Sequence, residues 1–530
     1  MTRQEMLDRV SKRSQPWDII IIGGGATGVG CAVDAASRDY SVLLLERSDF
    51  GSGTSSRSTK LVHGGVRYLG QGHISLVTES LRERGLLRQN APHLVSDLAF
   101  VVPRYDWWEA PFYGIGLKVY DLLAGKYGFG HSQLLSREET LRRLPTINPE
   151  GLRGGIIYYD GQFDDTRLLI NLVQTAVAHG GTLLNYCDVV GLIKNRSDAI
   201  AGVEIREIES GECSQVLGKV VINATGPYCD SVRRMADPEA VAMISPSQGI
   251  HLVFNRSFLP GDAAIMVPHT KDGRVMFAIP WNGHTLVGTT DTPINDISVE
   301  PRALPEEVDF VLETASRYLC KVPTRADVLS VFVGIRPLVN EEDGGSDTAL
   351  LSRDHTIRTD GAGLVTIAGG KWTTYRQMAE DCINQAATLA NLPSVPVVTS
   401  DLKIHGFQDL RRGRFAHYGS DANVMEELIH DDPSLGEPLH PALPYCGAEV
   451  LWATRVEMAR TLEDVLARRT RALFLNARAA CEMAVPVAAI MARELEQSEE
   501  WQRRQVQQFQ ELARGYMLDE SSSTGSEAGC

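Results

Sequence analysis

The chain has 530 residues, 43% of them hydrophobic and 22% charged, and a formal net charge of −15. A chain of this length is too long for one hydrophobic core, so we expect two or three domains. The negative charge argues against nucleic-acid binding, and any anionic substrate must therefore be held by a local cluster of Arg and Lys.

The nine cysteines are scattered along the chain, and no two of them are spaced C-x-x-C. This usage is typical of a reduced, cytosolic compartment and predicts neither a disulfide framework nor a zinc site. Residues 1–17 lack the long apolar run of a secretory signal. No stretch reaches the roughly 18 apolar residues that span a membrane, but attachment to a membrane surface needs no span and stays open.

Residues 18–46 carry the first informative pattern. The apolar run Ile19–Ile22 predicts a parallel strand buried on both faces, and the run Val42–Leu45 predicts a second one. Glu46 ends the second run, where a carboxylate can accept hydrogen bonds from ribose hydroxyls. Between the two runs, three glycines follow the pattern G-x-G-x-x-G: Gly23, Gly25 and Gly28.

These elements stand in the order of a dinucleotide-binding unit. The first glycine allows a tight turn, the second leaves room for a pyrophosphate, and the third lets the following helix lie close to the sheet. The N-terminus of that helix offers N–H groups and a partial positive charge to the phosphates. The pattern therefore predicts an adenine dinucleotide, but it leaves NAD and FAD open.

Three later segments favour FAD because they suit the wrapping of a long ligand from several sides. They are a loop rich in Gly, Ser and Thr at 50–72, a strand ending in Ala-Thr-Gly at 224–226, and a strand, glycine turn and helix at 364–386. The chain carries no second convincing Rossmann fingerprint. The expected cofactor-binding residues are Gly23, Gly24, Gly25, Ala26, Thr27, Gly28, Glu46, Arg47, Thr54, Ser55, Ser58, Lys60, Leu61, His63, Gly64, Gly65, Ala224, Thr225, Gly226, Gly370, Lys371, Trp372 and Thr373.

Between these segments the pattern changes. Residues 240–335 alternate strand-like runs with one helix near 305–320, which predicts an antiparallel sheet. We therefore expect an α/β fold with a discontinuous Rossmann-like FAD-binding domain, an inserted α+β antiparallel-sheet domain for the substrate and an α-helical C-terminal cap. The predicted boundaries are 16–90, 161–230 and 330–392 for the FAD-binding domain, 91–160 and 231–329 for the inserted domain, 400–518 for the cap and 519–530 for a disordered tail.

Several motifs together resemble the FAD-dependent, quinone-linked glycerol-3-phosphate dehydrogenases. The resemblance extends over residues 16–520, and several of its motifs are specific to that family rather than general to flavoproteins. The EF-hand extension of the animal mitochondrial members is absent, no D-x-D-x-D-G loop is present, and we expect no metal site. The motifs are GTSSRSTKLVHGGVRYL (53–69), NATGPY (223–228), GTTDTP (288–293), GIRPL (334–338), SRDH (352–355) and GGKWTTYR (369–376).

The resemblance implies oxidation of sn-glycerol 3-phosphate to dihydroxyacetone phosphate in glycerol catabolism. It implies hydride transfer from C2 to FAD and delivery of the electrons to a quinone of the respiratory chain. It also implies a homodimer that is cytoplasmic and attached peripherally to the cytoplasmic face of the inner membrane. Arginines in the helical tail could meet lipid headgroups, but they alternate with acidic residues, which is more typical of a salt-bridged face.

A phosphate dianion needs a cationic clamp, and Arg provides it best through its rigid fork. The resemblance carries this role to Arg336, Arg353 and Lys371, and it places Arg67 and Tyr68 near both flavin and substrate. A single Arg is more often a solvated surface charge, but Arg336 and Lys371 stand where strands end, which favours a ligand site. Lys371 and its helix N-terminus would also stabilise the negative charge of a reduced flavin.

Oxidation at C2 also requires a base for the hydroxyl proton, and a neutral His suits this role near pH 7. The resemblance gives His251 as the base, against the alternative of a packed strand histidine, and it gives Arg336 a catalytic role beside it. His63 is expected to contact the flavin. Asp291 could orient the base, bind substrate or cap a turn, and the sequence does not separate these roles.

Three other functions stay open. A glycerol-3-phosphate oxidase that delivers electrons to oxygen shares nearly every motif. A related flavin oxidase of an amino acid or hydroxy acid would keep residues 18–46 but would have little use for the cations near 336–371. A non-catalytic flavoprotein, such as a redox sensor or an RNA-associated factor, is disfavoured by the charge of −15.

Overall fold

The computed structural model describes residues 2–518 except 71, 107–108, 268–269, 271–274, 341–353 and 410–412. Within this range the chain folds around two sheets and a C-terminal set of helices. The fold class expected from the sequence, a mixed α/β FAD-binding fold with a helical C-terminal region, is confirmed.

The first sheet is built on the predicted dinucleotide unit. Ile19–Ile22 pair in parallel with Val42–Leu45 on one side and with residues 220–223 on the other, so the apolar run lies at the centre of the sheet. An antiparallel hairpin extends the sheet at Ile200–Glu207. In spatial order the main strands are His355–Thr359, Leu364–Gly369, Cys213–Asn223, Trp17–Ile22, Val42–Leu45 and Thr182–Leu184, and Ile200–Glu207 and Cys187–Lys194 lie off this path.

Helices cover the first sheet and bury its apolar strands. Helix Ala26–Ser37 packs against helix Tyr375–Leu389, because Gly30 lets Tyr375 approach closely. Gly28 is equally constrained, since a Cβ atom there would lie 2.0 Å from the Gly23 carbonyl oxygen. The helices associated with this sheet are Arg3–Ser11, Ala26–Ser37, Asp165–Ala178, Cys229–Ala236 and Tyr375–Leu389.

The second sheet is mostly antiparallel, as the alternating runs predict. Its longest contact joins Ile244–Asn255 to Val328–Val339. In spatial order its strands are Thr292–Pro293, Ile244–Asn255, His284–Gly288, Met276–Trp281, Ala263–Val267, Val95–Arg104, Gly154–Phe163 and Leu61–Val62, with Val328–Val339 and Gln133–Leu135 off this path. The helices around it are Val66–Gly70, Ile74–Asn90, Glu109–Ala124, Arg137–Arg143 and Pro305–Tyr318.

Two strands near the predicted domain boundaries pair within the second sheet. Residue 330 is the predicted start of the last segment of the FAD-binding domain, and Val328–Val339 pairs with Ile244–Asn255 of the second sheet. Leu61–Val62 also joins the second sheet, although it lies inside the predicted segment 16–90. The chain therefore passes between the two sheets at the residues that border the cavity described below.

Residues beyond 413 are largely helical and pack against both sheets. The described helices are Ala422–Asp431, Gly447–Val456, Ala472–Leu475, Ala477–Glu494 and Glu499–Arg514, with a single π-helical turn at Asp464–Arg469 and a two-stranded hairpin of Pro438–His440 and Leu443–Cys446. The predicted tail 519–530 lies outside the described residues. No helix in the described ranges is long and apolar enough to cross a membrane.

Two arginines of this helical region form buried ion pairs with Asp49, in the loop after strand Val42–Leu45. Arg468 Nε and an Arg469 amino group each lie 2.6 Å from Asp49 Oδ2, and all three side chains are buried. Burial alone would raise the pKa of the Asp49 carboxyl, but Arg469 and Arg468 outweigh it and hold the pKa at about 2. These arginines therefore serve a domain contact rather than a lipid surface.

Replacing Asp49 by Asn should lower the free energy of unfolding by about 3 kcal/mol, because two buried guanidinium groups lose their shared carboxylate. Urea unfolding of the holoenzyme followed by circular dichroism measures the change. Asp309→Asn is the matched control, since its carboxylate is exposed and pairs with Arg325 at 2.7 Å. That change should cost less than about 1 kcal/mol. Equal losses in the two variants would contradict this account of Asp49.

Candidate functional site

A cavity of about 480 Å³ lies between the carboxyl ends of the first sheet's strands and the inner face of the second sheet. Residues from Ile22, Leu45 and Ala224 onward form one end, and residues of the second sheet such as His251 and Arg336 form the other. The carboxyl ends of parallel strands are the usual ligand site of an open α/β sheet.

At the first-sheet end, the glycines of the fingerprint border the cavity. Gly23 has a φ of +109°, a conformation that L side chains rarely adopt, and this permits the turn out of the strand. Helix Ala26–Ser37 begins at Gly25, which has no side chain to cap the helix. Ser55 Oγ accepts one N–H, from Ala26 at 2.9 Å, and the other N–H groups of the first turn remain available to a phosphate.

Glu46 lines the cavity where the sequence predicts it. Its carboxylate accepts hydrogen bonds from the backbone N–H groups of Gly24 at 2.7 Å and Ser48 at 2.8 Å. Burial raises the pKa of the Glu46 carboxyl above its ordinary value, and the two backbone bonds act in the opposite direction. The carboxylate is thus fixed in orientation, and its remaining lone pairs can accept ribose hydroxyls.

The Ser- and Thr-rich loop is held from both sides. Thr54 Oγ1 donates to the Ile335 carbonyl of the second sheet at 2.6 Å. Trp372 Nε1 donates to the Ser55 carbonyl at 2.9 Å, and the His63 N–H donates to Thr373 Oγ1 at 3.2 Å. These bonds place the loop between the second sheet and the glycine turn at 369–370, so that all three predicted wrapping segments meet at one cavity.

Most of the predicted cofactor-binding residues border this cavity. Those that line it are Gly23, Gly25, Ala26, Thr27, Glu46, Arg47, Thr54, Ser55, Ser58, Leu61, His63, Ala224, Thr225, Gly226, Gly370, Lys371, Trp372 and Thr373. Gly24, Gly28, Gly64 and Gly65 are not in the lining and have backbone roles instead. The Gly64 N–H, for example, donates to the Tyr120 hydroxyl at 2.8 Å, and a Cβ atom there would lie 2.5 Å from Leu81.

Lys60 departs from its predicted role. Its side chain is fully buried and forms an ion pair with Asp165, with Nζ 2.6 Å from Oδ2. It is not part of the cavity lining. The Gly-Ser-Thr pattern around Lys60 predicts a ligand loop, but it does not show that this one side chain turns inward to meet a carboxylate 105 residues later.

Of the residues predicted to clamp the phosphate, the structure describes the side chains of Arg336, Lys371 and Tyr68. Arg336 lines the cavity and is 21% exposed, and Asp291 Oδ1 lies 3.2 Å from one of its amino groups. The other amino group donates to the Thr290 carbonyl at 2.8 Å. Asp291 therefore orients the guanidinium and offsets part of its charge, a role that the sequence left undecided. Arg353 lies outside the described residues, as does the side chain of Arg67.

Lys371 and Tyr68 border the same end of the cavity. Lys371 Nζ lies 4.2 Å from the centre of the Tyr68 ring, within the range of a cation–π contact. Gly65, with a φ of +77°, brings the backbone close to both side chains. Lys371 precedes the helical turn Trp372–Thr374, and residues 371–373 all line the cavity.

His251 is buried in the wall of the cavity and is 3% exposed. Its Nε2 lies 2.9 Å from Thr59 Oγ1, and its ring stacks on Phe332 with centroids 4.9 Å apart. Burial holds the pKa of the imidazole well below 6.5, and Lys60 and Arg336 lower it further, while Asp165 acts in the opposite direction. His251 is therefore neutral at pH 7 and able to accept a proton.

Sequence reasoning missed Thr59 and Phe332, the two residues that hold the imidazole. Thr59 lies inside a predicted motif, so only its partner was unknown. Phe332 lies in the apolar run before Arg336, and its pairing with His251 follows from strand register, in which these two residues stand opposite each other. Register between distant strands carries no signal in a single sequence.

Comparison with known proteins agrees with this geometry. The family described as FAD dependent oxidoreductase matches residues 18–376, and the C-terminal domain of alpha-glycerophosphate oxidase matches residues 365–502. The human mitochondrial glycerol-3-phosphate dehydrogenase is 39% identical over 545 residues, covering 96% of this chain and 74% of that protein. The chain belongs to the FAD-dependent glycerol-3-phosphate dehydrogenases. The mitochondrial enzyme of Arabidopsis thaliana is also 39% identical, over 94% of this chain and 86% of that protein.

Solved structures extend the agreement to the fold. The glycerol-3-phosphate dehydrogenase from Bacillus halodurans, complexed with FAD, superposes with a TM-score of 0.79 at 28% identity and covers 97% of each chain. The alpha-glycerophosphate oxidase from Mycoplasma pneumoniae shares the fold, with a TM-score of 0.57 at 17% identity over 73% of this chain and 98% of that one.

FAD is the cofactor of this family, and the residues present fit it. The uncapped helix start at Gly25, the fixed carboxylate of Glu46 and the open space around Gly226 suit the dinucleotide end. The loop at 53–63 and the turn at 369–373 enclose the other end. In the described ranges no cluster of three His, Cys, Asp or Glu side chains could hold a metal ion.

Proposed function

We propose that this protein oxidises sn-glycerol 3-phosphate to dihydroxyacetone phosphate and passes the electrons to a membrane quinone. The observation that carries the proposal is that a neutral, buried His251 and an oriented Arg336 share one wall of the cavity that fits FAD. The names of the relatives, which are 39% identical over nearly the whole chain, support the same substrate.

The roles of the side chains follow from their chemistry. Arg336 and Lys371 bind the phosphate dianion, and Asp291 holds the guanidinium in the cavity wall. His251 accepts the proton of the C2 hydroxyl, since a neutral imidazole in a dry wall is a suitable base. When bound, FAD supplies the acceptor for the C2 hydride. We extend the phosphate-binding role to Arg353, Arg67 and Tyr68 on the strength of their motifs alone.

Steady-state turnover with a dye acceptor tests the substrate. Dihydroxyacetone phosphate should form from sn-glycerol 3-phosphate, while glycerol and the opposite enantiomer should react at least about a hundredfold more slowly, because they lose or misplace the phosphate contact. An amino acid or hydroxy acid that turned over faster than sn-glycerol 3-phosphate would favour the related flavin oxidases instead.

The electron acceptor is a separate part of the proposal. A glycerol-3-phosphate oxidase would deliver the electrons to oxygen, and the match of the C-terminal region to the domain of an alpha-glycerophosphate oxidase makes this the second candidate. Anaerobic turnover with a soluble quinone, compared with peroxide yield in air, decides between them. We expect fast quinone reduction and little peroxide. A peroxide yield that equals product formation would establish the oxidase.

Peripheral attachment to the cytoplasmic face of the inner membrane is the third part. Its support is helix Glu109–Ala124, which packs one face on the second sheet through Leu117 and Tyr120. Ile115, Val119 and Leu122 project from the other face and are 69%, 40% and 80% exposed. An exposed apolar face of this kind is typical of a helix that lies in a membrane surface.

Replacing Ile115 and Leu122 together by Ser should reduce binding to lipid vesicles about tenfold or more, because each loses well over 1 kcal/mol of apolar burial in lipid. Vesicle sedimentation measures this, and turnover with a water-soluble acceptor should not change. Val190→Ser, at another exposed apolar position, is the control. Vesicle binding that is equal in all three proteins would contradict this surface.

A homodimer, which light scattering tests, is proposed from the family resemblance alone.

A further inference from the structure

Lys60 carries a buried ammonium group that the packing around it does not explain. Its side chain is fully buried, and Nζ donates to Asp165 Oδ2 at 2.6 Å and to the Ser56 carbonyl at 2.8 Å. Three aromatic rings surround it, with centroids 5.0 to 5.7 Å from Nζ: Trp281, Phe332 and Phe474. An apolar side chain would fill such a site at a lower desolvation cost, so packing alone does not account for a lysine here.

Pairing with Asp165 does not account for Lys60 either, because the carboxylate already has another cation. An Arg471 amino group lies 3.3 Å from Asp165 Oδ1, and Arg471 also donates to the Ser56 carbonyl at 2.6 Å. Ser58 Oγ donates to Asp165 Oδ2 at 2.7 Å. Lys60 and Arg471 thus share the Asp165 carboxylate, and Asp164 is the next carboxylate that acts on Lys60.

Two residues, Thr59 and Phe332, connect the Lys60 ammonium to His251. Thr59, the residue before Lys60 in the chain, has its Oγ1 2.9 Å from His251 Nε2. The two side chains also share one ring, since Lys60 Nζ lies 5.0 Å from the Phe332 centroid and the imidazole stacks on Phe332 at 15°. The charged groups that act on His251 are Lys60 from a loop, Arg336 from strand Val328–Val339 and Asp165 from helix Asp165–Ala178.

We propose that Lys60 is a positioning residue for the oxidation, one that anchors Thr59 against His251 and keeps the imidazole unprotonated by the charge of its ammonium. The inference rests on the proposed role of His251 as the base for the C2 hydroxyl. In this proposal Lys60 acts through Thr59 and His251, because its own side chain is not part of the cavity lining.

The titration of Lys60 agrees with this role. Burial lowers the pKa of the Lys60 ammonium to about 7, and Asp165 limits that fall. Lys60 is therefore charged below about pH 7, which is the range in which an ordinary imidazole would take up a proton. The Lys60 charge is therefore present in the pH range in which it opposes protonation of His251. It is lost at higher pH, where an imidazole is neutral in any case.

Lys60→Met tests the proposal. The variant should fold, because Arg471 still pairs with Asp165 and still donates to the Ser56 carbonyl. Without the ammonium the pKa of His251 should rise, and the acid limb of the kcat/KM profile should move up by about one pH unit. Lys60→Arg keeps the charge and should keep the wild-type limb. Lys219→Met, which removes a half-exposed lysine paired with Asp18, is the control and should also keep it.

A second readout does not depend on turnover. Nuclear magnetic resonance of holoenzyme with labelled histidines follows the His251 ring, whose resonance is the one that a His251→Asn variant lacks. In wild-type enzyme this resonance should show no protonation near pH 6.5. In Lys60→Met the midpoint of its titration should move to higher pH. An acid limb and a His251 midpoint that are the same in Lys60→Met and wild type would overturn the inference. If Lys60→Met does not bind FAD, Lys60→Gln, whose neutral amide can still donate to Asp165, undergoes the same two measurements.

The failure of this inference can be told from the failure of the proposed function. Wild-type enzyme that does not oxidise sn-glycerol 3-phosphate contradicts the function, whatever the variants do. Wild-type enzyme that does oxidise it, with a pH profile that Lys60→Met leaves unchanged, contradicts the role of Lys60 alone.

Discussion

Replacing Arg336 by Ala should lower kcat/KM for sn-glycerol 3-phosphate by roughly a thousandfold, which corresponds to about 4 kcal/mol. The guanidinium is held by Asp291 at 3.2 Å and by the Thr290 carbonyl at 2.8 Å, so its position in the cavity wall is fixed before substrate arrives. A phosphate dianion then gains charge-assisted hydrogen bonds without a further ordering cost. Arg336→Lys should recover only part of the loss, because an ammonium cannot reproduce the planar fork.

Two comparisons make this prediction specific to the phosphate. Arg325→Ala removes a surface arginine just before the strand that carries Arg336, and it should leave kcat/KM unchanged. Glycerol, which lacks the phosphate, should lose much less of its slow turnover than sn-glycerol 3-phosphate does in Arg336→Ala enzyme. An equal fold loss for glycerol and for sn-glycerol 3-phosphate would show that Arg336 supports the fold or the flavin rather than the phosphate.

Replacing His251 by Asn should lower kcat by about a hundredfold to ten-thousandfold, the range in which a positioned general base contributes. The substrate KM should change little, because the imidazole acts on the C2 proton and the clamp binds the phosphate. The remaining activity should increase with pH, since hydroxide then replaces the missing base. Steady-state kinetics across pH measures both effects.

The matched control for His251 is His284, a buried histidine on the neighbouring strand His284–Gly288. Its Nδ1 lies 2.9 Å from the Asn282 carbonyl, and burial lowers the pKa of its imidazole as well, but it does not line the cavity. His284→Asn should therefore retain kcat. A His251→Asn enzyme with wild-type kcat and an unchanged pH profile would remove His251 from the mechanism.

The elements that the sequence predicts well are those whose chemistry is local. Residues 18–46 form one continuous unit of strand, glycine turn, helix and strand that ends in Glu46. Each part of this unit is recognisable from residues close to it in the chain. The Ser- and Thr-rich loop and the glycine turn at 369–370 are recognisable for the same reason. Several such segments were predicted to serve one ligand, and in the structure they line one cavity.

What the sequence did not predict depends on partners that are far apart in the chain. Lys60 pairs with Asp165 and Asp49 with Arg469, and such contacts between distant side chains leave no periodicity in a single sequence. An apolar strand such as Val328–Val339 fits either sheet, and only its pairing with Ile244–Asn255 assigns it to the second one. The role of Asp291 stayed open until the position of Arg336 was known.

The most direct test of the account is anaerobic mixing of the purified holoenzyme with sn-glycerol 3-phosphate while the visible absorption band of the flavin is recorded. We expect the band to bleach, dihydroxyacetone phosphate to form in the amount of the bound flavin, and glycerol at the same concentration to leave the band intact. A band that sn-glycerol 3-phosphate leaves unchanged, but that dithionite bleaches, would contradict the proposed function.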